Sequence, residues 1–174
     1  MRNSETMRKE PINYFQESEK YRPKTVRTLL IAEAPPPTGT KYFYVPRAMP
    51  TKVPMEKDTS LPATIFQHYF KKRPETVDEY IDFLNRLRGA GIFLIDIADE
   101  PIRIREKGGI NQENLQYLIS KIKTLRTKIR ERRIIIDDED IIFLLPRLHF
   151  KKRLEEEFPK SEKIRWIDFR LSSD

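Results

Sequence analysis

"TVRTLLIAEAPPPTGTKYFYVP", residues 25–46, is the stretch on which the fold reading turns. Leu29, Leu30 and Ile31 form a continuous apolar run. Alternation would mark a strand with one wet face, whereas a continuous run marks a parallel strand covered on both faces. Residues 25–34 are therefore expected to form the first buried strand. Glu33 follows the run, and the segment 35–59 then holds Pro35, Pro36, Pro37, Pro46, Pro50 and Pro54. Proline fixes φ and lacks an N–H, so this density excludes a continuous helix or central strand. A long ordered loop is expected, and such loops commonly carry function. Exposing Tyr42, Phe43, Tyr44 and Val45 together would be costly, so some of these side chains are expected to pack inward, with one ring left at a pocket.

Working outward, residues 1–24 are polar and are predicted as an arm or short helix pinned by Tyr14, Phe15 and Tyr21. The remainder, 25–174, reads as a single α/β domain of ordinary size. Ser60 can cap a helix running to about Lys72. Thr76 and Glu79 make a capping-box pair for a second helix, with Val77, Tyr80, Ile81, Leu84 and Leu87 on its buried face. Gly89 and Gly91 end that helix, and "GIFLIDIADEPI", residues 91–102, supplies a second buried strand over Ile92–Ile95. Asn111 can cap a long helix carrying Leu115, Leu118, Ile119, Ile122 and Leu125. Its end is basic, with Arg126, Lys128, Arg130, Arg132 and Arg133, and positive charge there suits the helix dipole. Ile141–Leu145 is the third core strand, "FKKRLEEEF" (150–158) a further helix, and "KIRWIDFR" (163–170) the last strand. This order predicts a three-layer, doubly wound α/β protein with a mainly parallel four-stranded sheet.

Lys and Arg total 34 against 27 Asp and Glu, a formal charge of +7 that favours anionic partners such as nucleic acid. No cysteine is present, which removes disulfides, thiolate zinc sites, cysteine-held clusters and a cysteine nucleophile. Two histidines, His68 and His149, cannot make a histidine-rich metal site, while a carboxylate-held magnesium stays open; outside that case no cofactor is expected. No apolar stretch approaches a membrane span and the N-terminus has no secretory core, so no membrane partner is expected and the cytoplasm is the expected location. High charge, few glycines and no cysteine are compatible with a hot-living source.

Ligands of an open parallel sheet bind beyond the carboxyl ends of its strands. The predicted ends carry Glu33 and the proline loop, then Asp96, Asp99 and Glu100, then Pro146, Arg147 and His149, and finally Arg170, Ser172 and Ser173. Glu33 could orient a water or cap backbone amides. Asp96 could face the same cleft or cap a turn. Gly39 could admit a ligand close to the backbone, or simply serve a turn. Tyr42, Phe43 and Tyr44 could stack a base while Lys41, Arg47, Arg130 and Lys151 meet phosphates. There is no G-x-x-x-x-G-K-[ST] and no G-x-G-x-x-G. A serine–histidine–acid triad would need His149 with Ser172 or Ser173, and no nucleophile elbow accompanies them.

"LLIAEAPPPTGTKYFY", residues 29–44, resembles the first motif of the uracil-DNA glycosylase superfamily. In that family a core strand ends in an acid-and-proline sequence, a glycine-containing loop follows, and an aromatic ring stacks on the base. Several branches have "GEAPG" where this chain has "AEAPP" (32–36). The resemblance implies that Glu33 matches the acidic position and Pro35 the proline, with Phe43, then Tyr44, as stacking ring. "GIFLIDIADEP" (91–101) resembles the family strand whose terminal asparagine recognises the base; Asp96 holds that position here. An ionised Asp96 would repel uracil O4 unless protonated, and suits an amino group better. "IIFLLPRL" (141–148) resembles the third family strand. From their place just beyond that strand, His149 with Arg147 could donate to an anion or a base edge, or His149 could be structural. The family's histidine-containing H-P-S-type motif follows its last strand; "FRLSSD" (169–174) holds neither histidine nor proline, so in this stretch the motif is lost or replaced or lies outside this sequence.

The resemblance implies a four-stranded parallel sheet with helices on both sides, nucleic acid (DNA, possibly RNA) as partner, and N-glycosidic hydrolysis at uracil or another deaminated base after base flipping. Two alternatives remain open at this point. One is a catalytically inert nucleic-acid-binding or regulatory module. The other is a metal-dependent nuclease or phosphohydrolase, with magnesium held by Glu33, Asp96 and Asp99 or Glu100.

Overall fold

The structure is a computed structural model that describes residues 11–49, 54, 57–58, 60–144, 147–158 and 165–166; the side chains at 105, 136–140, 147–149, 151 and 165–166 lie outside that description. The chain opens with α1 (Tyr14–Glu19), capped by the Asn13 side chain, which accepts from Gln16 N. The first strand, β1, runs Val26–Ala32. A 3-10 turn at Gly39–Lys41 begins the loop, and α2 (Leu61–Phe70) and α3 (Val77–Gly89) follow. Then come β2 (Ile92–Asp96), the short hairpin β3 (Arg105–Glu106) and β4 (Gly109–Ile110), α4 (Gln112–Ile122) and α5 (Leu125–Glu131). The chain continues with β5 (Ile136–Phe143), α6 (Arg147–Glu157) and β6 (Arg165–Trp166).

The protein is α/β, with β2, β1 and β5 as the body of a parallel sheet flanked by helices. β6 adds two residues in parallel beyond β5, Arg165 and Trp166 pairing with Ile142 and Phe143. Spatial order β2-β1-β5 means that the chain steps one way from β1 and returns past it, so progress across the sheet reverses between β1 and β5. Leu29, Leu30 and Ile31 are fully buried, as a central two-faced strand requires. β5 starts well before the expected Ile141, and Ile134 and Ile135 form the exit from α5 rather than a strand.

Local chemistry explains the helix limits. Thr76 Oγ1 accepts from Glu79 N (3.1 Å), while the Glu79 carboxylate accepts from Glu75 N (2.8 Å) and also pairs with Lys72. On α3 the buried stripe is Tyr80, Phe83, Leu84 and Leu87; Val77, expected inside, is 46% exposed in the first turn. Ser60 occupies the N-cap of α2 without a side-chain cap bond. The expected single basic helix is two, broken at Lys123–Thr124.

The proline loop crosses the free edge of β2. Along a strand, successive backbone groups point alternately to either side. Ile97 N pairs with Ala32 O on β1, so Leu94 turns its N–H and C=O outward. Both meet one hydroxyl: Leu94 N donates to Tyr44 Oη (2.7 Å), and Tyr44 Oη donates to Leu94 O (3.1 Å). Tyr44 stacks on Tyr21 and packs against Phe43 and Phe93, and burial pushes its hydroxyl well above the usual phenol range. A Tyr44→Phe variant keeps the ring but strands two buried backbone groups. It should lose about 1–3 kcal/mol in chemical denaturation, and an unchanged midpoint would show that water replaces the hydroxyl.

Candidate functional site

A cleft of about 360 Å³ opens at the carboxyl ends of β1 and β2. Pro35 and Tyr42 enter it from the loop after β1, Asp96 and Asp99 from the end of β2, Tyr14 and Phe15 from α1, and Lys128 and Arg132 from α5. The N-terminal segment forms one wall. Tyr14 Oη donates to Pro36 O (2.9 Å), and the Tyr14 ring meets Tyr42 edge-on at 4.9 Å. Gly39 makes this seat possible, because a Cβ there would lie 2.7 Å from Ile12 Cδ1. Its small size serves the packing of the chain's own arm, where sequence had suggested room for a ligand.

Lys128 and Arg132 lie four residues apart around α5 and reach the cleft together. Lys128 Nζ donates to the main-chain oxygens of Asp96 (2.7 Å) and Ile97 (3.3 Å) and pairs with Asp99 Oδ1 at 2.6 Å. It thereby satisfies carbonyls at the end of β2. Arg132 Nη2 binds Ser18 Oγ (3.0 Å) and Glu19 Oε1 (2.6 Å), tying α1 to α5, and its guanidinium lies 5.0 Å from the centre of the Phe15 ring. Phe15 is 54% exposed. Sequence reasoning read both cations as a dipole-matched helix end; their four-residue spacing was the signal that they share a face.

Asp96 forms the floor. Burial pushes its carboxyl up to about 7, opposed by Lys128, a hydrogen bond from the Tyr42 hydroxyl and Arg132, and assisted by Asp99. Near neutrality a substantial fraction is thus protonated, offering a donor beside an acceptor.

The other candidate residues are dispersed. Phe43 and Tyr44 are core: Phe43 is 3% exposed, packed on Phe66 and Tyr44, with its carbonyl accepting from Tyr80 Oη. Neither ring can stack a base without unpacking the core, which corrects the expectation for both. Tyr42 is the member of the trio that lines the cleft, though it is itself covered by Tyr14. Glu33 stands one residue past β1, partly buried, with its backbone carbonyl accepting from Ala98 N, and does not line this cleft. Arg47 is occupied internally, donating to Tyr42 O (3.0 Å) and lying over the Tyr80 ring. Lys41 is exposed beside the loop. Arg130 lies in a groove with Ile134 and Ile135, at the opposite edge of the sheet. The side chains of Arg147, His149 and Lys151, and residues Arg170, Ser172 and Ser173, lie outside the described residues.

No family model matches the chain, and neither curated proteins nor solved structures give a match.

The Asp96 carboxyl has a testable consequence. Its folded-state value lies above the ordinary 3.8, so the folded state holds this proton more tightly than the unfolded chain. Stability is fully present below about pH 4 and is lost as pH rises through about 7. Asp96→Asn retains an acceptor for Tyr42 and carries no charge. It should flatten this part of the pH–stability curve and be more stable than the parent at pH 8, by on the order of a few kcal/mol. Thermal melts from pH 4 to 8 measure both; parallel curves would show that Asp96 is ionised throughout.

Proposed function

We propose that the protein binds nucleic acid and takes one extruded base into the strand-end cleft, on a uracil-DNA glycosylase-like scaffold whose four-stranded sheet is completed by β6. The observation that carries this reading is the meeting of Pro35 and Asp96 in one cleft. One comes from the loop after β1 and the other from the end of β2, and they are the positions that match the family's motif proline and its base-recognising residue. The cleft lies within the size range of small-molecule sites and sits beyond the carboxyl ends of the strands, the side of an open parallel sheet on which ligands bind. Phe15, the exposed ring on its rim, replaces Phe43 as the stacking surface, with the Arg132 guanidinium beside it. A protonated Asp96 accepts uracil's imide edge without repulsion; an ionised one prefers an amino group.

The proposed reaction is hydrolysis of the N-glycosidic bond: water adds to the sugar carbon and the base departs. Glu33 takes the water-orienting role on the strength of the motif alone. The binding-only alternative uses the same cleft and omits this step. Among the described residues no three His, Cys, Asp or Glu side chains form a metal-holding group, so no observation favours the magnesium-dependent alternative. Among those residues, too, no helix is long and apolar enough to cross a membrane.

The test is single-turnover release of uracil and of a deaminated purine from labelled single-stranded DNA, with an RNA strand for comparison. Glu33→Gln should slow release by roughly 10²–10⁴-fold with binding nearly intact. Phe15→Ala should weaken binding by about 1–3 kcal/mol. Affinity should fall steeply as salt rises, because phosphate neutralisation releases counterions. Binding without base release removes the reaction and leaves the binding module; no binding at low salt removes both.

A further inference from the structure

The amino-terminal edge of the sheet, opposite the cleft, carries a second concave surface. A groove of about 300 Å³ runs between α5, the Ile134–Ile135 segment before β5, Ile141 on β5 and Phe158 after α6, with Ile129, Ile135 and Phe158 among its apolar walls. A shallower hollow of about 250 Å³ adjoins it across Arg133, Ile134 and Ile135 and extends to Lys24. Ile135 is 64% exposed, more than any other large hydrophobic side chain among the described residues. Cations rim this apolar strip. Arg126 lies over the Phe158 ring at 4.3 Å with its Nε donating to Glu157 O. The side chains of Arg130, Arg133 and Lys24 have no hydrogen-bond or ion-pair partner among the described residues. Arg133 adopts a left-handed backbone (φ 52°) at the turn that leads to Ile135.

We propose that this groove docks a short acidic segment of a partner protein, with one apolar side chain of that segment seated against Ile129, Ile135 and Phe158 and its carboxylates on Arg130, Arg133 and Lys24. Arginine beside exposed apolar surface is the composition of protein interfaces. A planar guanidinium takes a carboxylate through two parallel hydrogen bonds. The walls are largely aliphatic, which suits an apolar anchor better than stacked bases.

The probe is a fluorescent nine-residue peptide alternating Asp or Glu with Leu or Phe, titrated by anisotropy into the full chain. The controls are a peptide with Lys in place of every acid and a labelled single-stranded oligonucleotide. The acidic peptide should bind saturably and the basic one should not. Ile135→Asp, and separately Arg130→Glu with Arg133→Glu, should each weaken the acidic peptide by about tenfold or more. These side chains are exposed, and circular dichroism melts confirm the fold; Ile135→Ser serves as a milder variant with the same expected direction. Base release and oligonucleotide binding through the cleft should be unaffected by Ile135→Asp, so failure of either proposal is separable from the other. Absence of acidic-peptide binding overturns the proposal. So does binding indifferent to Ile135, or an oligonucleotide that takes over the same arginine dependence, which would make the groove a phosphate-backbone surface.

Discussion

β1 is confined on every side. It pairs with β2 from Thr28 to Ala32 and with β5 from Val26 to Ile31, and from Leu29 to Ala32 the side chains on both of its faces are buried. Its middle residues have no contact with water. A strand held this way can present functional groups only where it ends, and everything after Ala32 inherits a fixed origin. The loop must leave at the carboxyl edge, turn sharply and find cover for its rings. It does so by running along β2, whose outer edge was the remaining unpaired one on that side of the sheet.

The same confinement decides how the cleft is walled. Asp96 ends β2 in register with Ala32, so its backbone position is set by the pairing rather than by loop conformation. The surrounding walls are of a different kind. α1 is six residues long and is held by side-chain contacts, chiefly Arg132 to Ser18 and Glu19 and Tyr14 to the Pro36 carbonyl. Local opening costs least where few apolar contacts are broken. The floor is therefore set by strand pairing, whereas this wall is set by side-chain contacts, and it is the wall that covers Tyr42.

The strands were legible because continuous apolar runs admit few alternatives. The position of Asp96 at the end of β2 came with them. The choice among Tyr42, Phe43 and Tyr44 was not legible. Three consecutive rings in a loop have no fixed period, so their directions depend on where β2's free edge and the α2–α3 core lie. Val77 failed for a related reason: it fits the helical stripe, but as the first residue of α3 it stays exposed. The break at Lys123–Thr124 has neither proline nor glycine to announce it. Phe15 was read as an anchor because it is aromatic, and only its neighbour Arg132, distant in sequence, makes its exposure intelligible.

The Tyr44 hydroxyl on Leu94 also bears on how copies of the chain behave toward one another. A bare edge strand is a template, able to recruit a strand from another molecule through its open N–H and C=O groups. β2 is apolar from Ile92 to Ile95, and such a segment with an open edge is prone to stacking into fibrils. One phenol occupies both groups of its central residue, and the rings that support it bar approach from the side. The loop that builds the cleft thus also keeps the sheet finite, so loosening the cleft's outer loop and losing colloidal stability are coupled events in this fold.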